Sequence, residues 1–221
     1  PGWSQIPEVG LALAAKAAKI NGVYSAMALL DLDTAKAKKY TDTKSVKEES
    51  GYTSPFCYPL WPCDRVGEYI LAKSAVAGAM IQYMASDNED VPNQSPSNHL
   101  LGVGGQCLED GTEVYLDQDQ ANTVNGYGVT TAINQNGYRL WGNYTGAYPA
   151  SSDAKDIWFA VRRMFSWQGN NFIQTYFDEV DDPMNNVLVQ SVVDSENIRC
   201  SAYAPKYWAG ASIEYKSDDN P

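Results

Sequence analysis

Helical and strand patterns alternate along residues 1–85, and this alternation restricts the possible folds more than any other feature of the chain. Pro7 suits the first turn of a helix over residues 7–20, and Asn21-Gly22 is a signal that ends it. The short apolar run over residues 23–30 is typical of a buried strand in a parallel sheet. A helix that leads into a buried strand is therefore predicted.

Two more helices and one more strand complete this first region. The Lys-rich residues 34–49 and the small-residue stretch 67–85 have helical propensity. Residues 52–61 have the composition of a second strand, but prolines interrupt them, so an irregular or edge position is expected. The predicted fold class is α/β, with a partial parallel or mixed sheet and flanking helices.

The pattern changes in the second half of the chain. A long polar connector over residues 86–117 is expected to end in a short strand at residues 113–116. Asn136-Gly137 then separates two strand-like runs, over residues 129–133 and 138–141. This dipeptide between apolar runs is the strongest short-range signal for a β-hairpin. A hairpin is therefore predicted here.

Two long helices and a last strand are expected after the hairpin. Apolar residues recur at helical spacing from residue 157 onwards, Pro183 begins a second helical pattern, and residues 207–215 have strand-like composition. The second region is thus predicted as α+β. The predicted division lies near residue 118, between an α/β region (1–117) and an α+β region (118–221).

The net charge of the chain is −11, and it is spread evenly. Residues 1–117 hold 9 basic and 15 acidic side chains, and residues 118–221 hold 7 and 12. Nucleic-acid binding requires a basic face, so direct contact with phosphates is not expected. No apolar run approaches the roughly 18 residues that a membrane span needs, so membrane insertion is not expected either.

The cysteines do not form a recognisable metal motif. Cys57, Cys63, Cys107 and Cys200 are far apart, and no pair has the CxxC spacing. The chain has one histidine, His99, so a zinc knuckle is not predicted. Free thiols suit a reducing compartment, and the cytoplasm is the simplest expectation.

No arrangement of residues predicts an active site. His99 lies in a polar loop with no nucleophile elbow beside it, and the glycines of residues 102–105 lack the lysine of a phosphate loop. The acidic clusters resemble solvated surfaces more than a catalytic pair. Asp31 and Asp33 are candidates for either a cation site or a helix cap. No catalytic residue, cofactor or metal site is predicted.

Arginine and tryptophan concentrate in residues 139–167. The two types are enriched in the energetically dominant positions of protein interfaces. Arg139, Trp141, Arg162 and Arg163 are therefore candidate subunit-interface residues. The alternative for the tryptophan is ordinary core packing, and for the arginines it is an exposed helix surface.

Four motifs, in this order, resemble those of the major sheath proteins of contractile phage tails and related contractile injection machines. They are Ser95-Pro-Ser-Asn98, residues 121–129, Arg139-Leu-Trp-Gly-Asn-Tyr-Thr145 and Val161-Arg-Arg-Met-Phe165. The similarity extends from residue 1 to about residue 215, which makes it more specific than any short match. Residues 36–47 and 55–62 fit the family weakly.

The resemblance implies a structural role without cofactors. Sheath subunits form a six-fold helical polymer around a tail tube, joined to a baseplate, and contract to drive the tube through an envelope. The implied location is a virion tail assembled in the bacterial host cytoplasm. The resemblance also implies that an N-terminal region and a C-terminal arm of the family subunit are missing from residues 1–221, so that the first sheet lacks a strand. The alternative is a fragment of an α/β hydrolase or nucleotide-binding enzyme.

Overall fold

The computed structural model describes residues 3–181, 183 and 185–216. Its strands are β1 (Ala28–Asp31), β2 (Cys57–Leu60), β3 (Cys63–Val66), β4 (Tyr69–Leu71), β5 (Gly105–Cys107), β6 (Thr131–Asn134) and β7 (Tyr138–Trp141). The α-helices are α1 (Pro7–Ala18), α2 (Thr43–Ser50), α3 (Lys73–Asp87), α4 (Gln118–Gly126), α5 (Ala154–Ile157), α6 (Phe159–Tyr176) and α7 (Asn186–Tyr203). The predicted class, α/β followed by α+β, is confirmed as a mixed fold with small parallel and antiparallel sheets.

The chain packs as two compact units, Pro1–Trp167 and Gln168–Pro221. They are called here the first unit and the second unit. The division near residue 118 was placed where the sequence pattern changes from α/β to α+β, and it stays a prediction. Each unit is described by itself below.

The central sheet of the first unit is built from segments distant in sequence. β1 and β2 pair in parallel, with Ala28 opposite Cys57 and Asp31 opposite Leu60, which agrees with the predicted α/β class. β2 is regular and buried throughout, so the irregular or edge position expected for this segment was wrong. A parallel bridge then joins Leu60 to Thr130, where Thr130 donates its N–H to the Pro59 carbonyl at 2.9 Å. The β6–β7 hairpin therefore continues this sheet on the far side of β2.

A second, antiparallel sheet has the order β4-β3-β5. β3 and β4 were not predicted, and residues 67–72 were expected to belong to a helix, whereas α3 begins at Lys73. Val66 faces Tyr69 across a tight turn in which Gly67 has φ +60°. These strands have three or four residues, and β3 carries a charged pair in its centre, so they show no clear alternation of apolar and polar residues.

Several predicted boundaries were wrong by a few residues. β1 begins at Ala28, five residues later than expected, and α2 begins at Thr43 instead of residue 34. Asp33 explains part of the second difference, because its carboxylate accepts the N–H of Ala35 at 2.8 Å and favours a turn there. Asp33 therefore acts as a local turn residue.

The predicted strand at residues 113–116 was wrong. A single antiparallel bridge joins Cys107 to Glu113, and the Val114 N–H donates to the Gln106 carbonyl at 2.9 Å. Leu108 and Thr112 close the turn between them with a backbone hydrogen bond of 2.8 Å. One bridge next to a turn does not extend into a ladder, so the segment continues without strand structure.

In the second unit, α7 begins three residues after the expected Pro183, because Asn185 is its N-cap. The Asn185 side chain accepts the N–H groups of Val187 and Leu188 at 3.0 and 2.9 Å. The predicted final strand over residues 207–215 was wrong, since no strand occurs there up to residue 216. Instead, Asn197 bonds both backbone groups of Ile213 through its amide, at 2.9 and 3.1 Å.

Candidate subunit interface

The predicted hairpin is confirmed, and its turn explains where the candidate residues lie. The register of the hairpin leaves a three-residue loop, 135–137, in which Asn136 and Gly137 have φ values of +53° and +106°. Asparagine and glycine adopt such left-handed values more readily than other residues do. Tyr138 and Leu140 on β7 are buried, and Arg139 and Trp141 alternate with them in half-buried positions. The pleat therefore puts both candidates on the opposite face from the core.

Arg139 joins the hairpin to the loop that carries the Ser95–Asn98 motif. Its Nη1 donates to the Asn98 carbonyl at 2.8 Å, and its Nε donates to the Gln135 carbonyl at 3.1 Å. The backbone of the same loop pairs with β7, since Leu140 donates to the His99 carbonyl at 2.9 Å. Arg139 thus fixes the position of a neighbouring loop as well as the end of its own hairpin.

Trp141 joins the hairpin to α4. Its indole Nε1 donates to the Asn122 side-chain oxygen at 2.9 Å. The Asn125 amide, with its nitrogen facing them, donates to the carbonyl oxygens of Val129 and Trp141 at 2.8 Å each. The motif over residues 121–129 is therefore hydrogen-bonded directly to the motif that contains Trp141.

Gly142 lies where these motifs meet. It has φ +146°, and a Cβ there would lie 2.6 Å from the Thr130 hydroxyl and 2.8 Å from the Asn125 side chain. Its N–H donates to the Ser97 hydroxyl at 3.1 Å, and its carbonyl accepts the Tyr58 hydroxyl at 2.8 Å. A glycine is required at this position because no other residue fits both the backbone conformation and the space.

Arg162 lies in the first turn of α6, and its side chain contacts other residues of the first unit. Its guanidinium lies over the Phe56 ring, 4.4 Å from the ring centre, and its Nη1 pairs with the Asp156 carboxylate at 3.0 Å. Only 15% of its side chain is exposed, and its Nε has no hydrogen-bond partner among the described residues. The aromatic ring and the carboxylate together restrict the guanidinium to one position.

Arg163 packs against the aromatic core of the same unit. It lies over Phe159, 5.5 Å from the ring centre, and Phe159 stacks on Tyr58 at 4.0 Å. Burial lowers the pKa of Arg163 to about 10. Burial also raises the pKa of Tyr58, whose hydroxyl reaches Gly142. The fourth motif therefore meets the others through this stack.

All four candidate interface residues thus make contacts within the first unit, and each of them is half-buried. Arg139 bonds to a neighbouring loop and Trp141 to α4, while Arg162 and Arg163 pack on aromatic rings. Their role between subunits stays a prediction. The structure adds that the four motifs, distant in sequence, form one contiguous region around β7.

Lys47 is a buried residue of this region that sequence reasoning missed. Its Nζ donates to the carbonyl oxygens of Tyr127 and Tyr148 at 2.9 and 2.5 Å, and so links α2 to two loops. Burial lowers its pKa to about 8. No clear signal in the sequence marks it, because α2 is polar apart from Val46 and its lysines look alike.

The sites considered for an enzyme have ordinary structural roles. The glycines of residues 102–105 lead into β5, with Gly104 donating to the Arg65 carbonyl at 2.9 Å, so they do not join a strand to a helix. Asp31 accepts the backbone N–H of Ser74 at 2.8 Å and thereby caps α3. His99 borders a shallow pocket with Asp87 and Arg139.

Among the described residues, no group of three or more His, Cys, Asp or Glu side chains is placed to hold a metal ion. Within the same residues, no helix is both long and apolar enough to cross a bilayer.

An apolar groove opens on the first unit, between α3, the β3–β4 turn and residues 100–103. It has a volume of about 530 Å³. Its rim carries Tyr83 and Leu100, which are 73% and 53% exposed. Apolar surface of this kind is common where proteins meet other proteins.

No protein-family model matches the sequence, and no curated protein matches it. Solved structures do match in fold. A chain of the anti-feeding prophage baseplate superposes with a TM-score of 0.67 at 20% identity, over 90% of this chain and 50% of that one.

Two contracted sheaths superpose nearly as well. The helical sheath of the anti-feeding prophage gives a TM-score of 0.65 at 20% identity, covering 91% of this chain and 52% of that chain. The sheath of an extracellular contractile injection system, PVC, gives 0.64 at 16% identity, covering 86% and 51%. The chain thus has the fold of contractile sheath proteins, over about half of their length, which confirms the resemblance carried by the motifs.

Proposed function

We propose that this chain is part of the structural subunit of a contractile sheath, which polymerises around a tail tube and contracts to drive the tube through a target envelope. The observation that carries the proposal is the fold match over 86–91% of the chain to sheaths in their contracted state. The convergence of the four family-like motifs around β7 supports it independently.

Contraction needs no chemical reaction in such a subunit. A sheath subunit has two packings in its lattice, and the contracted one has the lower free energy. A modest difference per subunit, summed over many identical contacts, then supplies the work. A rigid first unit suits this role, because a subunit that keeps its shape transmits a lattice change to its neighbours.

The proposed partners are other copies of the subunit in a six-fold helical polymer, the tail tube protein and the baseplate. The proposed location is the tail of a virion or a related particle, assembled in the cytoplasm of the bacterial host. Direct nucleic-acid binding is not part of the proposal, because the acidic charge is even along the chain. No catalytic residue or cofactor is assigned either.

The proposal is favoured over a hydrolase or nucleotide-binding fragment for two reasons. The fold likeness is to sheath assemblies, and the glycines of residues 102–105 enter a strand instead of a helix. A phosphate-binding loop acts through the N-terminus of the helix that follows it. Those glycines have no such helix.

Negative-stain electron microscopy of the full-length protein that contains this chain tests the proposal. Expression at high concentration is expected to give hollow tubes with a helical striation, in the wider and shorter contracted form. Protein that stays monodisperse under all assembly conditions, or tubes without six-fold symmetry, would count against it.

The interface role of Arg139, Trp141, Arg162 and Arg163 needs a separate measurement. We propose that the outer face of α6 contacts a neighbouring subunit through Arg162 or Arg163, since adjacent helical residues point about 100° apart and only one can face a neighbour squarely. Lysine replacements keep the charge while losing the fork geometry of the guanidinium. A lysine variant at either position that unfolds at the wild-type temperature but forms fewer tubes than the wild type supports the role. A lysine variant that forms as many tubes as the wild type contradicts it.

A further inference from the structure

A lysine and an aspartate meet in the interior of the first unit. Lys73 and Asp64 are both completely buried, and the Lys73 Nζ is in direct contact with the Asp64 Oδ1. Asp64 lies in the centre of β3, and Lys73 is the first residue of α3. Neither side chain belongs to the motifs around β7, and the sheath proposal assigns neither of them a role.

The surroundings of this pair disfavour the charged forms. Taking two charges out of water is costly, and the pair has little compensation because the Asp64 Oδ2 has no hydrogen-bond partner among the described residues. Lys73 also stands at the positive end of the α3 dipole, where a cation is unfavourable. Passing a proton from the Lys73 Nζ to the Asp64 carboxylate would remove both charges of the buried pair at once.

Asp31 adds a further reason for Asp64 to hold a proton. Its carboxylate is buried and caps α3 through both the N–H and the hydroxyl of Ser74. Burial, and to a lesser extent the negative charge of Asp31, raise the pKa of Asp64 above its ordinary value, although Lys73 opposes them. A carboxylic acid is a far better acceptor for an amine than a carboxylate is, because its hydroxyl can leave as water.

We propose that Lys73 and Asp64 form an intramolecular isopeptide bond. A proton passes from the Lys73 Nζ to the Asp64 carboxylate it contacts, and the Nζ electron pair then attacks Cγ of the carboxyl group, which forms the C–N bond of an amide. The C–O bond to the hydroxyl breaks, and one amine proton joins that hydroxyl, so one water molecule leaves. The reaction needs no oxidant, cofactor or second substrate. The contact within a dry interior supplies the proximity that such a step requires.

The product is a covalent link between β3 and the start of α3. It closes a short loop that contains the β3–β4 turn, so it ties the antiparallel sheet to the helix that packs on β1. The link would persist under denaturing conditions, unlike the ion pair, and this difference makes it measurable.

Tryptic mass spectrometry of the purified, denatured protein tests the proposal. Trypsin does not cleave after an amidated lysine, so the expected product is a branched peptide that joins residues 48–65 to residues 66–139, lighter than the sum of its parts by one water molecule. A wild-type protein of full mass, with complete cleavage after Lys73 and a free 48–65 peptide, overturns the proposal.

The chain supplies two internal controls. Lys36 and Glu49 are in contact at 2.6 Å but are exposed, so cleavage after Lys36 should be complete. Asp110-Gly111 can also lose water, by forming a succinimide, but that reaction leaves the 48–65 peptide free. A water loss found only at Asp110-Gly111 therefore counts against the proposal. A double variant, Lys73→Met with Asp64→Leu, keeps the buried volume and should show no branched peptide.

Discussion

The two units of this chain differ in how they bury apolar residues. The first unit has two clusters of fully buried side chains, one around Trp61 and Leu32 and one around Phe159 and Leu140. In the described part of the second unit, the buried side chains are Glu196 and Cys200, on α7. Its large apolar residues are much more open, with Val187 at 80% and Ile198 at 71% exposure.

This difference indicates how each unit specifies its structure. A packed apolar core stabilises the first unit directly. Helices in the second unit cannot rely on propensity alone, since most helical stability in proteins comes from burying one face. A polar cluster takes part of that role there, because Glu196 accepts hydrogen bonds from Gln168 and, at 3.1 Å, from Arg199. The following substitutions test this contrast.

The largest effect is expected for Phe159→Ala in the first unit. Phe159 is fully buried and stacks on Tyr58, so its truncation should lower the free energy of unfolding by about 3–5 kcal/mol. Ile198→Ala in the second unit is the control and should change it by about 0.5 kcal/mol or less. Urea unfolding followed by tryptophan fluorescence measures both. Equal effects would abolish the distinction between the two units.

A slightly smaller effect is expected for Gly142→Ala. The variant must hold φ near +146° and meet Thr130 and Asn125, which together should cost about 3 kcal/mol. Gly169→Ala is the matched control in the second unit, because a Cβ at that helical position meets nothing within 4 Å. It should stabilise α6 by roughly 0.5–1 kcal/mol. A tolerated alanine at residue 142 would contradict the role given to that glycine.

Glu196→Ala should show whether polar contacts replace a core in the second unit. Its loss removes the buried hydrogen bonds from Gln168 and Arg199, so a cost of about 2 kcal/mol is expected. Amide hydrogen exchange along α7 is the appropriate measurement, and faster exchange there is the expected result. Glu214→Ala, which removes an exposed carboxylate from the same unit, should leave exchange unchanged. Unchanged exchange in both variants would refute the polar-cluster account.

The smallest effect is a pH dependence due to Lys47. Its pKa falls from 10.5 to about 8 on folding, so the unfolded chain binds more protons between these values. Its contribution to stability therefore rises with pH, by about 1 kcal/mol between pH 8 and 9. Burial raises the pKa of Cys57 to about 11, which acts in the opposite direction.

Comparison with a Lys47→Met variant removes the contribution of the thiols, because both proteins keep them. The stability difference between wild type and variant should shift in favour of the wild type as the pH rises from 8 to 9. Lys44→Met replaces an exposed lysine of the same helix and should show no such shift. A constant difference for Lys47→Met would mean that this lysine is not desolvated.

The sequence predicted the features that depend on neighbours along the chain. Asn136-Gly137 determined the hairpin because the turn is a local property of two residues. The apolar run that ends at Leu30 likewise predicted a strand of a parallel sheet, although its pairing partner was not predicted. By contrast, β3 and β5 are short strands separated in sequence by α3 and a long connector. They pair, with Cys63 opposite Cys107, only because these segments bring β5 back next to β3. Contacts of this kind leave no periodic signal.

The candidate residues illustrate the same limit. Arg139 and Trp141 were identified by residue type, but their partners, Asn98 and Asn122, could not be inferred without the three-dimensional arrangement. The contact of Lys73 with Asp64 was missed because charged residues are expected on the surface. The failed final strand shows the reverse case, since residues 207–215 have strand-like composition but are held by a side-chain amide.

The bridge between Leu60 and Thr130 has a consequence for the order in which the chain is made. During synthesis, β1 and β2 emerge well before the hairpin that completes their sheet, so one edge of β2 stays unpaired until residue 141 has left the ribosome. An open, apolar strand edge is prone to pair with other chains. Truncations that end before residue 131 should therefore aggregate, and those that end after residue 167 should remain in solution.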